Sequence, residues 1–252
     1  MDGSVIDYLE EYIEQIIMEE FKEPEYEQDK LSFMEEICKK YWNNSAVRRY
    51  CIDRYFERKD YDRVLQVLDE SIKLDKAYQG LILEYNQKKK EIYRLQGNKS
   101  AYIEQLWKLV LEQSAGNLDI YKELKAQYSE EEWLTKREEL FKKLPANAHI
   151  DRMYKEEKLY DRLLAYVLKS SGLYAVQTYE NVLKKEYPKQ ILNKYQDEVN
   201  KMASYTGNRK HYASLVALLR RMKRIKGGTA IVETIVEEWR IKYRNRPAMM
   251  DE

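Results

Sequence analysis

The sequence predicts an all-α protein, and more specifically an α-solenoid of antiparallel helical hairpins. Three observations support this fold class. The 252 residues include only four prolines and eight glycines, too few turn-forming residues for an all-β fold. Hydrophobic residues still make up 44% of the chain beside 35% charged residues, which is enough apolar material for a folded core. Finally, a Tyr-x-x-x-[Leu/Val]-x-x-[Leu/Val] register recurs four times.

Each copy of the register predicts a helix that presents one aromatic and aliphatic face, because positions i, i+4 and i+7 share a helical stripe. A single hairpin cannot bury such a stripe alone, and stacking in a solenoid solves this problem. The register tyrosines lie 41, 58 and 52 residues apart, so the array is tetratricopeptide-like but irregular in length. The copies are Tyr61, Leu65 and Leu68; Tyr102, Leu106 and Leu109; Tyr160, Leu164 and Val167; and Tyr212, Val216 and Leu219.

The first half of the chain divides into helices at its polar turns. Residues 1–44 predict an acidic pair of helices, the first ending before Pro24. Ser45 is the predicted cap of the next helix. The two hairpins that follow are expected to comprise helices at 47–56, 61–74, 81–95 and 102–111.

The second half begins with extra helices between 118 and 144. Ser129 and Glu132 have the spacing of a capping box, and Pro145 ends the helix that they begin. A hairpin over 149–168 follows, and then helices near 174–186 and 191–205. Asn208 is expected to cap a helix that stops at the C-cap Gly227-Gly228, before a last helix over 231–243. No linker interrupts the chain, so the sequence predicts one continuous domain over 1–252, with the repeat array at 45–252.

Charge is distributed unequally between the two ends. Residues 1–36 contain 13 acidic and two basic residues, a net charge of −11, whereas residues 205–246 contain 11 basic and three acidic residues, a net charge of +8. Opposite fields favour head-to-tail self-association. The basic end is also a candidate site for an anionic partner, although an ordinary solvated helix face has the same pattern. Its candidate residues are Arg209, Lys210, Arg220, Arg221, Lys223, Arg224 and Arg240.

The 23 tyrosines suit thin helical layers, because a tyrosine ring can be buried while its hydroxyl keeps a hydrogen bond at the edge of the core. The register tyrosines have aliphatic stripe partners, so a packing role is favoured for them. Residues that recognise a partner are therefore expected on faces away from the register stripe.

No catalytic, metal or cofactor site is predicted. Cys38 and Cys51 are 13 residues apart, which suits neither a disulfide framework nor a zinc site, and they are interpreted as buried cysteines in a reducing compartment. A metal site would have to recruit them with His149 and His211, which are far apart in the sequence. The chain shows no signal peptide and no apolar stretch long enough for a membrane span, so a cytoplasmic protein is expected.

Four strings resemble the helical C-terminal region of bacterial SWIM zinc-finger proteins. They are Tyr128-Ser129-Glu130-Glu131-Glu132-Trp133, Leu159-Tyr160-Asp161-Arg162-Leu163-Leu164, Asn208-Arg209-Lys210-His211-Tyr212 and Arg246-Pro247-Ala248-Met249-Met250-Asp251-Glu252. The resemblance implies a helical repeat region that is usually attached to a zinc module. The Cys-x-Cys and Cys-x-His ligands of that module are absent from these residues, so its DNA binding is not carried over.

The leading functional hypothesis is a non-enzymatic scaffold for protein–protein interaction, in which the inner face of a helical array binds a protein or peptide. Its alternative is a nucleic-acid-associated accessory domain that uses the basic C-terminal surface. The two differ in the expected role of the basic residues, since nucleic-acid binding would depend steeply on salt.

Overall fold

The computed structural model describes residues 36 and 38–250, with the backbone alone at 248 and 250. All regular elements in these ranges are helices, which confirms the predicted all-α class. Their packing separates two compact units, one ending at Ile150 (unit 1) and the other beginning at Asp151 (unit 2). The prediction of a single continuous domain stays a prediction. The predicted N-terminal helical pair lies almost wholly outside the described residues.

The described part of unit 1 contains six α-helices whose order follows the predicted hairpins. Neighbours in sequence pack on one another, α1 on α2, α2 on α3 and α3 on α4. The last turn of α4 continues as a π-helical segment, Leu109–Gln113, where the sequence predicts ordinary helix. The helices are α1 (Ser45–Glu57), α2 (Tyr61–Leu74), α3 (Gln79–Leu95), α4 (Lys99–Lys108), α5 (Leu118–Lys125) and α6 (Glu130–Lys143).

Polar side chains begin most of these helices by accepting hydrogen bonds from free backbone N–H groups. The predicted capping box is present, because Ser129 and Glu132 bond each other's backbone N–H. Asp60 caps α2 and Asn98 caps α4. The cap of α1 differs from the prediction: Asn44 accepts from the N–H of Ala46 at 2.9 Å, and Ser45 is already helical.

Seven helices lie in the described residues of unit 2, and the last of them was not predicted. Within it α8 packs on α9, α9 on α10 and α10 on α11, while α12 contacts both α10 and α11. The helices are α7 (Ile150–Glu156), α8 (Tyr160–Lys169), α9 (Tyr174–Leu183), α10 (Pro188–Ser204), α11 (Arg209–Met222), α12 (Gly228–Lys242) and α13 (Pro247–Met250). α7 begins with the last residue of unit 1.

Each unit has its own apolar core. The core of unit 2 is drawn from α8 to α13 and is centred on residues that exclude solvent almost completely, such as Val176, Leu192 and Ile235. In unit 1 an apolar cluster joins α1, α2 and α3 through residues such as Val47, Val64 and Ile92. Burial on this scale is the main favourable term in folding.

All four copies of the tyrosine register lie on helices. Their third residues, Leu68, Leu109, Val167 and Leu219, are all buried, and Tyr102 and Tyr212 are buried too. Tyr61 and Tyr160, the first residues of α2 and α8, are half-buried and pack against the cores of units 1 and 2 respectively. The described helices include none that is long and apolar enough to cross a membrane.

Candidate binding groove

An open groove of about 320 Å³ lies in unit 2 between α11 and α12, with α13 at its margin. Its α11 side is a stripe along almost the whole length of that helix, and its α12 side is a shorter stripe of the same kind. The groove is lined by Tyr212, Leu215, Val216, Leu219, Arg220, Lys223, Val232, Val236, Trp239, Arg240 and Met249.

Local sequence signals fix the two walls of the groove. Asn208 caps α11 as predicted, accepting from the N–H of His211 at 3.0 Å. The Gly227-Gly228 pair has a different role from the predicted C-cap. α11 ends at Met222, and Gly227 takes a left-handed conformation at φ 84° as the N-cap of α12. A Cβ at Gly228 would lie only 1.9 Å from the Met222 carbonyl oxygen, so only glycine permits this close turn.

The floor of the groove is apolar because the polar atoms of its aromatic side chains are bonded elsewhere. The indole Nε1 of Trp239 donates to Asn200 Oδ1 at 2.7 Å. The hydroxyl oxygen of Tyr212 accepts from the N–H of Gly207 at 3.2 Å. Val216 and Val236 are only half-buried, so they offer aliphatic surface to a ligand from opposite walls. An occupant would therefore meet apolar groups at the bottom of the groove.

Three exposed cations border this floor. Arg220 projects from α11, Lys223 directly follows the end of that helix, and Arg240 projects from α12. Within the part of the chain that the structure describes, none of the three makes a hydrogen bond or an ion pair. Cations that the fold leaves without partners can bind an anion without first breaking an internal bond. An apolar floor with cationic edges suits an occupant that is apolar on one side and acidic along its flanks.

The residues predicted to bind an anion therefore lie in different surroundings. Arg220, Lys223 and Arg240 border the groove, and Arg209 and Lys210 are exposed in the first turn of α11. Arg224 is exposed in the turn after α11, outside the groove lining. Arg221 is different, because its guanidinium is held by a buried carboxylate of α9.

That carboxylate, Glu180, is the centre of a buried network in unit 2. It accepts from Arg221 Nε at 2.5 Å and from the Tyr195 hydroxyl at 2.6 Å, and Lys184 Nζ lies 3.5 Å away. Burial alone would raise the pKa of the Glu180 carboxyl, but the bonds from Tyr195 and Arg221 outweigh burial and leave the pKa below its usual value. Burial and the bond to Glu180 raise the pKa of Tyr195. Arg221 is therefore a structural residue.

Unit 1 contains a network of the same three side-chain types. Arg48 is completely buried, and its guanidinium donates to Asp75 Oδ2 at 2.5 Å, to Ser71 Oγ at 3.1 Å and to the Trp42 carbonyl oxygen. The Tyr85 hydroxyl donates to the same Asp75 oxygen at 2.7 Å. Burial is the main reason that the pKa of Tyr85 is raised, with the Asp75 bond adding to it. The network ties α1, α2 and α3 together.

The interpretation of Cys38 and Cys51 as buried cysteines outside any disulfide requires a correction. Cys38 and Cys51 are both buried, but they are joined in a disulfide rather than present as two thiols. Their 13-residue separation allowed this pairing, and α1 supplies the geometry by turning Cys51 toward the segment before the helix.

His211 Nε2 lies 3.2 Å from the Met202 carbonyl oxygen. Among the described residues no group of three or more His, Cys, Asp and Glu side chains has the arrangement of a metal site.

The candidate anion-binding residues of the basic C-terminal end include three that border the groove, Arg220, Lys223 and Arg240. Residues that recognise a partner were expected away from the register stripe, and this stays a prediction; the fourth copy of the register, Tyr212, Val216 and Leu219, lines the groove. Val216 is the residue that makes this possible, because it is only half-buried on an otherwise buried stripe. No protein-family model and no curated protein matches this chain, so the groove itself is the basis for the functional assignment.

Proposed function

We propose that this chain is a non-enzymatic scaffold for protein–protein interaction, and that the α11/α12 groove binds a segment of a protein partner. The observation that carries the proposal is the combination of an apolar floor with three cations that have no partner within the described residues. Protein interfaces commonly have this organisation, with an apolar centre and a polar rim. The volume of about 320 Å³ accommodates a few side chains rather than a whole domain.

The proposal includes the α-solenoid architecture predicted from the sequence. Its support is the packing of sequence-adjacent helices within each unit, α1 to α4 in one and α8 to α11 in the other. Helical repeats that contact mainly their neighbours use exposed faces for recognition. Association with a SWIM zinc module and a cytoplasmic location belong to the same proposal, although the Cys38–Cys51 disulfide is unusual for a reducing compartment.

Affinity capture with the full chain tests the function. The comparison is between wild type and a variant with Val216→Asp and Val236→Asp, which places two charges on the groove floor. We expect nuclease-resistant proteins that bind wild type and are lost with the variant. The matched control is Ala217→Asp with Ala230→Asp, which adds the same two negative charges at exposed positions on the same helices but outside the lining. Equal capture by wild type and the groove variant would contradict the proposal.

A second candidate function is nucleic-acid binding, favoured by Lys223, Arg220 and the neighbouring Arg224, which make no ion pair within the described residues. The test is binding of labelled DNA and RNA across a salt series, because phosphate contacts weaken as salt rises. Charge reversal at these three positions should abolish binding. Arg221 is left unchanged, since replacing it would disturb the Glu180 network and confuse loss of folding with loss of binding.

A further inference from the structure

We propose that the α11/α12 groove binds the acidic N-terminal segment, residues 2–21, of a second copy of this chain. This inference rests on the proposed scaffold function and names the partner of the groove. It makes the association heterologous, because each copy supplies one segment and one groove and these are different surfaces. Such a contact forms rings or open chains of molecules according to its geometry.

The shape of the groove favours a helical occupant. Its α11 wall follows Tyr212, Val216, Leu219 and Lys223, which share one face over about three turns, a length of roughly 16 Å. The opposite wall presents Val236, which is half-buried like Val216. An apolar strip between two helices matches the way in which an amphipathic helix is bound through residues spaced three and four apart.

The N-terminal segment has the chemistry that this groove requires. Val5, Leu9, Ile13 and Ile16 recur at helical spacing and predict one apolar face. Residues 1–21 contain seven acidic residues and no basic residue. The segment therefore combines an apolar stripe with negative charge, where the groove combines an apolar floor with positive charge.

The same comparison favours this segment over a nucleic acid. A phosphate backbone would engage Arg220, Lys223 and Arg240 but would leave Val216 and Val236 without a contact. An acidic amphipathic helix engages both sets of residues. Isolated helices of this length are marginal in water, so docking of the apolar face would also stabilise the segment. Electrostatic attraction adds an ionic-strength dependence to the association.

The experiment measures the molar mass of the nuclease-treated full chain by light scattering across a salt series. We expect assemblies larger than the monomer at low salt that dissociate as salt rises. The groove reversal, with Arg220→Glu, Lys223→Glu and Arg240→Glu combined, should weaken the association by about tenfold or more. A wild-type chain that is monomeric at every salt concentration would overturn the proposal.

The segment reversal supplies a variant outside the groove. It combines Glu10→Lys, Glu19→Lys and Glu20→Lys, positions that lie nearer the predicted apolar stripe at helical spacing than Glu11 and Glu14 do. This variant should dissociate to the same extent as the groove reversal. A chain that carries both reversals should recover the association, because the opposite charges again face each other. Loss of association in both single reversals without recovery in the combined variant would count against direct docking.

Two controls separate the outcomes. Lys169→Glu, Lys189→Glu and Lys201→Glu change the net charge by the same amount at exposed positions outside the groove, and should leave the association intact. A synthetic peptide of residues 2–21 should dissociate the wild-type assemblies, whereas its Val5→Asp and Leu9→Asp form should not.

If wild type is monomeric but the Val216→Asp and Val236→Asp variant still loses captured proteins, this inference fails and the scaffold function stands. If capture is also unchanged, both fail.

Discussion

Units 1 and 2 both bury an arginine–carboxylate–tyrosine network, but they place different charges in the interior. In unit 1 the guanidinium of Arg48 is completely buried, so every bond that it makes must come from the protein. In unit 2 the carboxylate of Glu180 is buried with its side chain 6% exposed, whereas the side chain of Arg221 is 35% exposed. Water can compete for the arginine in unit 2 and not in unit 1.

This difference has an energetic consequence. A buried charge that loses its partner retains the full cost of its removal from water, whereas a partly exposed charge can be rehydrated. The network of unit 1 therefore acts only within the fold. The network of unit 2 reaches the surface through Arg221, one residue from Arg220 at the edge of the groove. It orients α11 against α9 and so helps to fix the groove wall.

Arg48→Met is expected to have the largest effect. It leaves the Asp75 carboxylate buried with the Tyr85 hydroxyl as its remaining described partner, and loss of one partner of a buried pair costs about 3–5 kcal/mol of the free energy of unfolding. Urea unfolding followed by circular dichroism measures this loss. The matched control is Arg49→Met on the same helix, whose exposed pair with Glu84 is worth about 0–1 kcal/mol. Equal losses for the two variants would contradict the role given to Arg48.

Arg221→Met is expected to cost less, about 1–3 kcal/mol. Glu180 keeps the Tyr195 hydroxyl and the nearby Lys184, and water can enter the space that the exposed part of Arg221 occupied. The control is Arg220→Met, an exposed neighbour without a described partner, which should change stability by less than about 0.5 kcal/mol. If Arg221→Met destabilises as much as Arg48→Met, exposure of the arginine does not govern the cost.

The helices of both units could be predicted more fully than their networks. α2 begins at Tyr61 and ends at Leu74 as expected, because Asp60 and a regular apolar stripe mark it. The networks depend on partners far apart in sequence, such as Glu180 and Arg221, which no local pattern connects. One signal was present: Glu180 occupies a stripe position with Val176, Tyr179 and Leu183, all of which are buried.

Arg48 carries the same signal in unit 1. It shares a helical face with Cys51, Ile52 and Tyr55, so a charge stands where the stripe requires an apolar residue. Such a charge predicts a buried ion pair but not its partner. The open space of the groove could not be predicted for a related reason. Its walls are two helices whose stripes each pack partly into a core, and the sequence does not show where the space between them remains open.

Removal of the tyrosine hydroxyls should have a smaller effect, with similar values in the two units. Tyr85→Phe and Tyr195→Phe each delete one hydrogen bond to a carboxylate that keeps its arginine, so each should cost about 1–2 kcal/mol. The measurement is again urea unfolding. Tyr78→Phe and Tyr205→Phe are the controls, because both side chains are more than half exposed. A Tyr195→Phe loss well above that of Tyr85→Phe would mean that the hydroxyl, and not Arg221, dominates the network of unit 2.

A rise in pH should have the smallest effect on the free energy of unfolding. No change is expected near neutrality, and at alkaline pH both units should lose stability. Burial and the bonds to carboxylates raise the pKa of Tyr85 and Tyr195, and burial with the bond to Glu123 raises the pKa of Tyr102 to about 12. A raised pKa in the folded state means that the stability from the neutral hydroxyl is complete below the unfolded value of about 10 and is lost as pH rises toward the folded value.

The urea midpoint should therefore remain level up to about pH 10 and fall above it. Ultraviolet titration of the folded chain should show tyrosines that ionise later than they do in urea. The fall in the urea midpoint with pH should be shallower in the double variant Tyr85→Phe with Tyr195→Phe, because two of the hydroxyls with a raised pKa are then absent. Glu123→Gln tests the same relation at a third position, since loss of the carboxylate should bring the pKa of Tyr102 down from about 12 while burial keeps it above the unfolded value. A midpoint that falls well below pH 10, or a double variant with wild-type steepness, would assign the alkaline transition to other groups.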